Sequence, residues 1–91
     1  MKYYKDKIEE IKSNYDFKKC TMTGAVSTLM KVKSAVESVW TDVDYMTYDI
    51  EYHGWHGEPA KNMRNIEREL RTKLLEVYAI CEMGLGQEYE E

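Results

Sequence analysis

Residues 25–50 read AVSTLMKVKSAVESVWTDVDYMTYDI, and the spacing of the apolar side chains in this stretch decides the fold. Ala25, Leu29, Val32, Val36, Val39, Val43, Met46 and Ile50 follow one another at alternating steps of four and three. A 3.6-residue period keeps all of these positions on one side of an α-helix, the pattern of a helix packed against another at a shallow angle. Many of these residues are β-branched and would suit a strand by propensity alone. A half-buried strand needs strict alternation, which is absent. Trp40 and Tyr48 flank the stripe, and Met22 extends it. They widen the apolar surface beyond what one helical neighbour covers, which implies a second contact.

The pattern stops at residues 51–58, EYHGWHGE, followed by Pro59. Gly54 and Gly57 permit positive φ there. Pro59 is the only proline, and it suits the first turn of a helix, where its missing N–H costs nothing. Glu58 belongs at the positive end of that helix's dipole. A second stripe follows: Met63, Ile66, Leu70, Leu74, Val77 and Cys81 again step by threes and fours. Leu75, Tyr78 and Ile80 add flanking apolar surface. Glu67–Arg71 and Glu69–Lys73 are favourably ordered pairs four residues apart. Gly84 is the expected stop.

These elements predict an all-α chain with one domain. A helix over about 22–50, a turn at 51–58 and a helix over about 59–83 fold back as an antiparallel hairpin, with a tail from 85 to 91 that frays. Residues 1–20 form a helical extension. Tyr4, Ile8, Ile11 and Tyr15 continue the apolar frame backwards, and Lys18 breaks it. A helix at about 2–14 with a kink before 22 is expected; one continuous helix from Lys2 to Ile50 is the alternative.

Ninety-one residues bury only a limited fraction of their surface, so a helical partner is a natural source of further burial. Trp40, Tyr45, Tyr48, Met63, Leu75 and Ile80 are the candidate partner-facing residues. The net charge of −4 argues against nucleic acid as a partner. The charge is uneven. Met1–Lys33 holds eight lysines against four acids, whereas Ser34–Glu58 holds six acids and no Lys or Arg. The acids Asp6, Glu9 and Glu10 interleave with the N-terminal lysines, so no clean basic face emerges there.

No apolar run of the length needed to span a membrane is present, and no signal-peptide core follows the N-terminus. Cys20 and Cys81 do not make a disulfide framework, and zinc needs more ligands at closer spacing. His53 and His56, near Glu51 and Glu58, lie in a turn and lack the helical spacing of zinc proteases. There is no phosphate-binding loop. The expectation is a non-enzymatic chain with no catalytic residue, metal or cofactor.

Trp55-His56-Gly57 in the turn, with Ala60 and Met63 five and eight positions after the tryptophan, resembles the Trp-x-Gly (WXG) family of small proteins of bacterial type VII (ESX-like) secretion. Tyr78-Ala79-Ile80-Cys81-Glu82 is similar to the Tyr-x-x-x-Asp/Glu export signal of those substrates. The likeness covers about residues 21–82. It departs from the family in its N-terminal extension and in Pro59, which stands where a small residue is usual.

The resemblance implies a homo- or heterodimer that closes into a four-helix bundle. Trp55 and Gly57 would cap one end. Tyr78 and Glu82 would form a signal read by the secretion ATPase, with release from the cytoplasm by that route and no cleaved signal peptide. The small helical partners of LXG toxins are similar as well, and they imply a targeting factor bound to the toxin's N-terminal helical segment. An unrelated coiled-coil adaptor explains the two stripes but leaves the placement of the two motifs to chance.

Overall fold

The structure is a computed structural model that describes residues 4–52 and 57–87. It is all-helical among these residues: α1 (Lys5–Lys12), α2 (Thr23–Tyr52) and α3 (Gly57–Leu85). The break between α1 and α2 excludes one continuous N-terminal helix. Trp55, Gly54, His53 and His56 lie outside the described residues. Gly57 opens α3 with a φ of 75°, the left-handed conformation expected of a glycine in this turn.

Helices α2 and α3 pack along their length, with low numbers in one meeting high numbers in the other. Leu29 lies against Gly84, Lys33 reaches Glu82, Asp44 reaches Arg71 and Thr47 donates to Glu67. Helix α1 lies over the groove between them. Ile8 and Ile11 press into a core of Val36, Trp40, Leu75, Tyr78 and Ala79. Residues 15–22 then cross to the start of α2 without regular structure. In this segment the rings of Tyr15 and Phe17 stack, and the N–H of Cys20 donates to the carbonyl of Gly84.

The inward face of α2 differs from the simple stripe. Val36, Val43 and Ile50 are buried as expected, but Val32 and Val39 are exposed, and so is Ala25. Trp40 is buried in their place, and Lys33 and Thr47 are partly covered. The seam therefore runs 29, 33, 36, 40, 43, 47, 50. It has the same three-and-four stepping, rotated by part of a turn. In α3 the rotation is matched: Ile66, Leu70 and Val77 are exposed, while Ala60, Leu75, Tyr78, Ala79, Glu82 and Leu85 are buried. The pair Glu67–Arg71 forms at 3.0 Å. Lys73 turns to Glu76 instead of Glu69.

The end of α3 also lies further along than expected. Gly84 is buried inside the helix, and Leu85 is buried after it. The stop is Gly86, at φ 68°. Its N–H donates to Met83 O, and the N–H of Gln87 donates to Glu82 O, the two bonds of a Schellman motif. Gly84 is small for a different reason. A Cβ there would come within 2.6 Å of Leu29 Cδ1 and 3.7 Å of Cys20 Sγ.

The two glycines should thus respond differently to alanine. Gly86→Ala forces a Cβ into the left-handed region and against Lys19, at about 1–2 kcal/mol. Gly84→Ala meets the flexible tip of Leu29 and gains about 1 kcal/mol of helix propensity, so the net loss should be smaller. Urea unfolding of the two variants checks this, and the reverse order would return the helix stop to Gly84.

Candidate interaction surfaces

The residues that could engage another molecule fall into three groups: the tyrosine–glutamate pair, the surroundings of Trp40, and the exposed apolar rows. Tyr78 and Glu82 share one face of α3, as their spacing requires, and that face points inward. Tyr78 is 5% exposed and Glu82 is 1% exposed. The pair expected to meet a receptor is covered by α1 and α2.

Glu82 is the only charged residue among the fully buried side chains described. Lys12 Nζ of α1 lies 2.9 Å from Oε1, and Lys33 Nζ of α2 lies 3.1 Å from Oε2. Neither carboxylate oxygen receives a well-aligned hydrogen bond, so the tie is chiefly coulombic. The two ammonium groups place their directed bonds elsewhere. Lys33 donates to Gln87 Oε1 at 2.8 Å, and Lys12 donates to Gln87 O at 3.3 Å. Lys33 also sits 4.9 Å from the centre of the Tyr78 ring, a cation–π distance. Cys81 is adjacent in sequence and buried. Burial pushes its thiol above the ordinary range, and the nearby Lys33 charge partly opposes this.

Trp40 is buried within the chain. Its indole meets the edge of Tyr4 at 4.9 Å, and the Arg71 guanidinium lies 4.7 Å over it. Arg71 is fixed by Asp44 at 2.7 Å and Glu67 at 3.0 Å. Burial opposes its charge, but the hydrogen bonds and charges of Asp44 and Glu67 outweigh burial and hold it above its ordinary value. Leu75 is buried in the same core. Met63 and Ile80 are half-buried, and Tyr45 and Tyr48 remain outside at 67% and 52% exposure.

The periodicity did not single out the surface that the structure leaves open. On α2, Val32 and Val39 lie on the flank of the Val36 seam opposite Lys33 and Trp40, which turn towards α1. On α3, Ile66 and Leu70 lie half a helical turn from Leu75 and Ala79, which pack under α1, and Val77 joins them. Two apolar rows thus border the side of the α2–α3 pair that faces away from α1. Their side chains are 37–45% exposed. In the sequence all five belong to the two stripes, so the period marked them as apolar but assigned them to the seam between the helices.

Among the described residues no group of His, Cys, Asp and Glu could hold a metal ion. No described helix is long and apolar enough to cross a membrane.

The buried triad gives a test in three variants. Glu82→Ala leaves two lysines facing a desolvated gap and should cost about 3–5 kcal/mol. Glu82→Leu with Lys12→Met and Lys33→Met removes all three charges and should recover most of that loss. Chemical denaturation checks both, and a triple variant no more stable than Glu82→Ala would mean that the loss does not come from the stranded charges.

Comparison with known proteins yields no match: no family model matches the sequence, and neither a curated protein nor a solved structure matches it.

Proposed function

We propose that this chain is a non-enzymatic partner protein of the WXG kind. In this reading it is an antiparallel helical hairpin that pairs with a second helical hairpin to close a four-helix bundle, as a substrate or targeting factor of bacterial type VII secretion. The observation that carries this reading is the apolar side of the α2–α3 pair facing away from α1. Val32, Val39, Ile66, Leu70 and Val77 stand exposed there, bordering one seam. Scattered apolar residues on a surface need no explanation, but rows at helical spacing on two adjacent helices mark a place for further helices. These side chains are already more than half covered, so completing their burial is worth about 0.5–1.5 kcal/mol each, a contribution to association set against ordering costs.

The position of Tyr78 and Glu82 bears on which role the chain takes. In the resembled family the export signal stands on one chain of a pair. Here both residues lie under α1, with Glu82 engaged by two lysines. This favours the targeting-factor reading, in which the bound chain supplies the signal and this chain supplies the complementary hairpin, as LXG-toxin partners do. Homodimerisation through the same side remains compatible with that surface. Type VII export is the context for either.

The test is Val39→Glu combined with Leu70→Glu. Both sites are exposed, so helicity should persist. Pairing should weaken by at least tenfold, read by sedimentation equilibrium for a homodimer or by co-purification from the native host for a heterodimer. A wild-type chain that is monomeric at high concentration and purifies alone from that host would remove the reading. Tyr78→Phe supplies a second check. If the pair is structural and not displayed, export should continue with this conservative change.

A further inference from the structure

Asp42 and Lys73 border the exposed rows at matched places. On α2, Val36 lies in the seam, Val39 is exposed, and Asp42 is exposed beyond it. On α3, Glu67 lies in the seam as the acceptor of Thr47, Leu70 is exposed, and Lys73 is exposed beyond it. Each step of three residues turns a helix about 60° further from the seam, here away from α1. The antiparallel register sets the heights. Asp44 meets Arg71 at 2.7 Å, so Asp42, two residues before the first, is level with Lys73, two residues after the second. The two charges thus stand at one height on opposite outer edges of the apolar side.

Neither charge is held firmly among the described residues. No ion pair there engages Asp42. Lys73 reaches Glu76 at 3.8 Å with its side chain 69% exposed. A shallow hollow of about 430 Å³ lies beside Lys73, with Ile66 and Leu70 in its lining. Met46, seven residues after Val39, shares its side of α2 and is half-buried. Because Thr47 donates to Glu67, Met46 stands level with Arg68, between the heights of Ile66 and Leu70. The wider charge follows the same division. Ser34–Glu58 holds six acids and no Lys or Arg, whereas Pro59–Lys73 holds five Lys and Arg against two acids.

We infer that the occupant of the apolar side is a second copy of this chain, related by a two-fold axis that runs parallel to α2 and α3. The inference rests on the pairing proposed above and names its partner. Such an axis lays α2 of one copy over α3 of the other at unchanged height. Asp42 of each copy then stands beside Lys73 of the other, once at each edge. Met46 of each copy faces the hollow beside Ile66 and Leu70 of the other, a place suited to an unbranched, adaptable side chain. The acidic later half of α2 lies over the basic early half of α3. A two-fold axis across the helices gives the opposite result. It lays α2 on α2 and α3 on α3, and it brings Asp42 near Asp42 and Lys73 near Lys73, because both residues lie near mid-height of the exposed rows. Like charges set against each other penalise that docking, and complementary charges fix the other.

The experiment is sedimentation equilibrium of the full chain at low ionic strength, which should show a dimer. Asp42→Lys and Lys73→Asp should each weaken it about tenfold, because like charges then meet at both edges. Asp42→Lys combined with Lys73→Asp should restore it to near the wild-type affinity. Lys7→Glu, on the exposed face of α1, controls for net charge and should change nothing. All these sites are exposed, so circular dichroism should be the same throughout. Carbodiimide treatment of mixed unlabelled and isotope-labelled chains should join Asp42 to Lys73 between copies, read by mass spectrometry. A dimer lost with Val39→Glu and Leu70→Glu but indifferent to the charge reversals would overturn this arrangement and leave the pairing side in place. A double variant as weak as the single ones would overturn it as well. A chain that stays monomeric at high concentration but purifies with a different helical protein would overturn the second copy as occupant while the pairing itself stands; one that purifies alone would end both.

Discussion

Glu82 lies at 1% exposure between a lysine from α1 and a lysine from α2. A carboxylate taken out of water is costly unless opposite charge comes with it, and here the compensation arrives from two different helices. Helix α1 spans eight residues, too short to hold its shape alone. Its two buried isoleucines give it adhesion, and Lys12 gives it a place along the groove. The same two ammonium groups sit beside the last turn of α3, where the helix dipole favours cations and where Gln87 supplies acceptors. Removing α3 strands both lysines, and removing α1 or α2 takes one of the two cations from the buried carboxylate, so the triad favours the arrangement in which all three are present.

That constraint explains how α2 chooses its inward face. The helix carries two candidate rows around the shared positions 29, 36, 43 and 50: one through 25, 32, 39 and 46, the other through 26, 33, 40 and 47. By apolarity alone the first row wins, because Lys33 and Thr47 are polar. The structure takes the second because its polar members have partners on α3. Lys33 finds Glu82, and Thr47 finds Glu67. Trp40 then turns towards α1, between Tyr4 and Arg71. The excluded valines are left facing outward.

The helices themselves were legible. Their type, number and ends to within a few residues follow from apolar period, from the glycine-flanked turn and from the break expected before residue 22. The rotation of each helix about its axis was not, because it depends on ion pairs between residues 49 and 70 positions apart, which no local window contains. Leu75 and Trp40 read as surface candidates for that reason: they flank the stripe that periodicity selects and lie within the one that pairing selects. Gly84 and Gly86 differ in the same way. Either could end a helix, and only the close approach of Leu29 and Cys20 explains why the first stays inside it. For Tyr78 and Glu82 the sequence could establish a shared face but not its direction.

The side opposite α1 bears on why the chain keeps so much apolar surface. A chain needing only its own core could place lysine or glutamate at positions 32, 39, 66, 70 and 77 without disturbing the seam, since each is more than a third exposed. Those positions hold Val, Val, Ile, Leu and Val. Helix α1 cannot cover them, because Glu82 holds it on the other side through Lys12. The triad that seats α1 on one side of the α2–α3 pair therefore fixes which side keeps its apolar rows exposed.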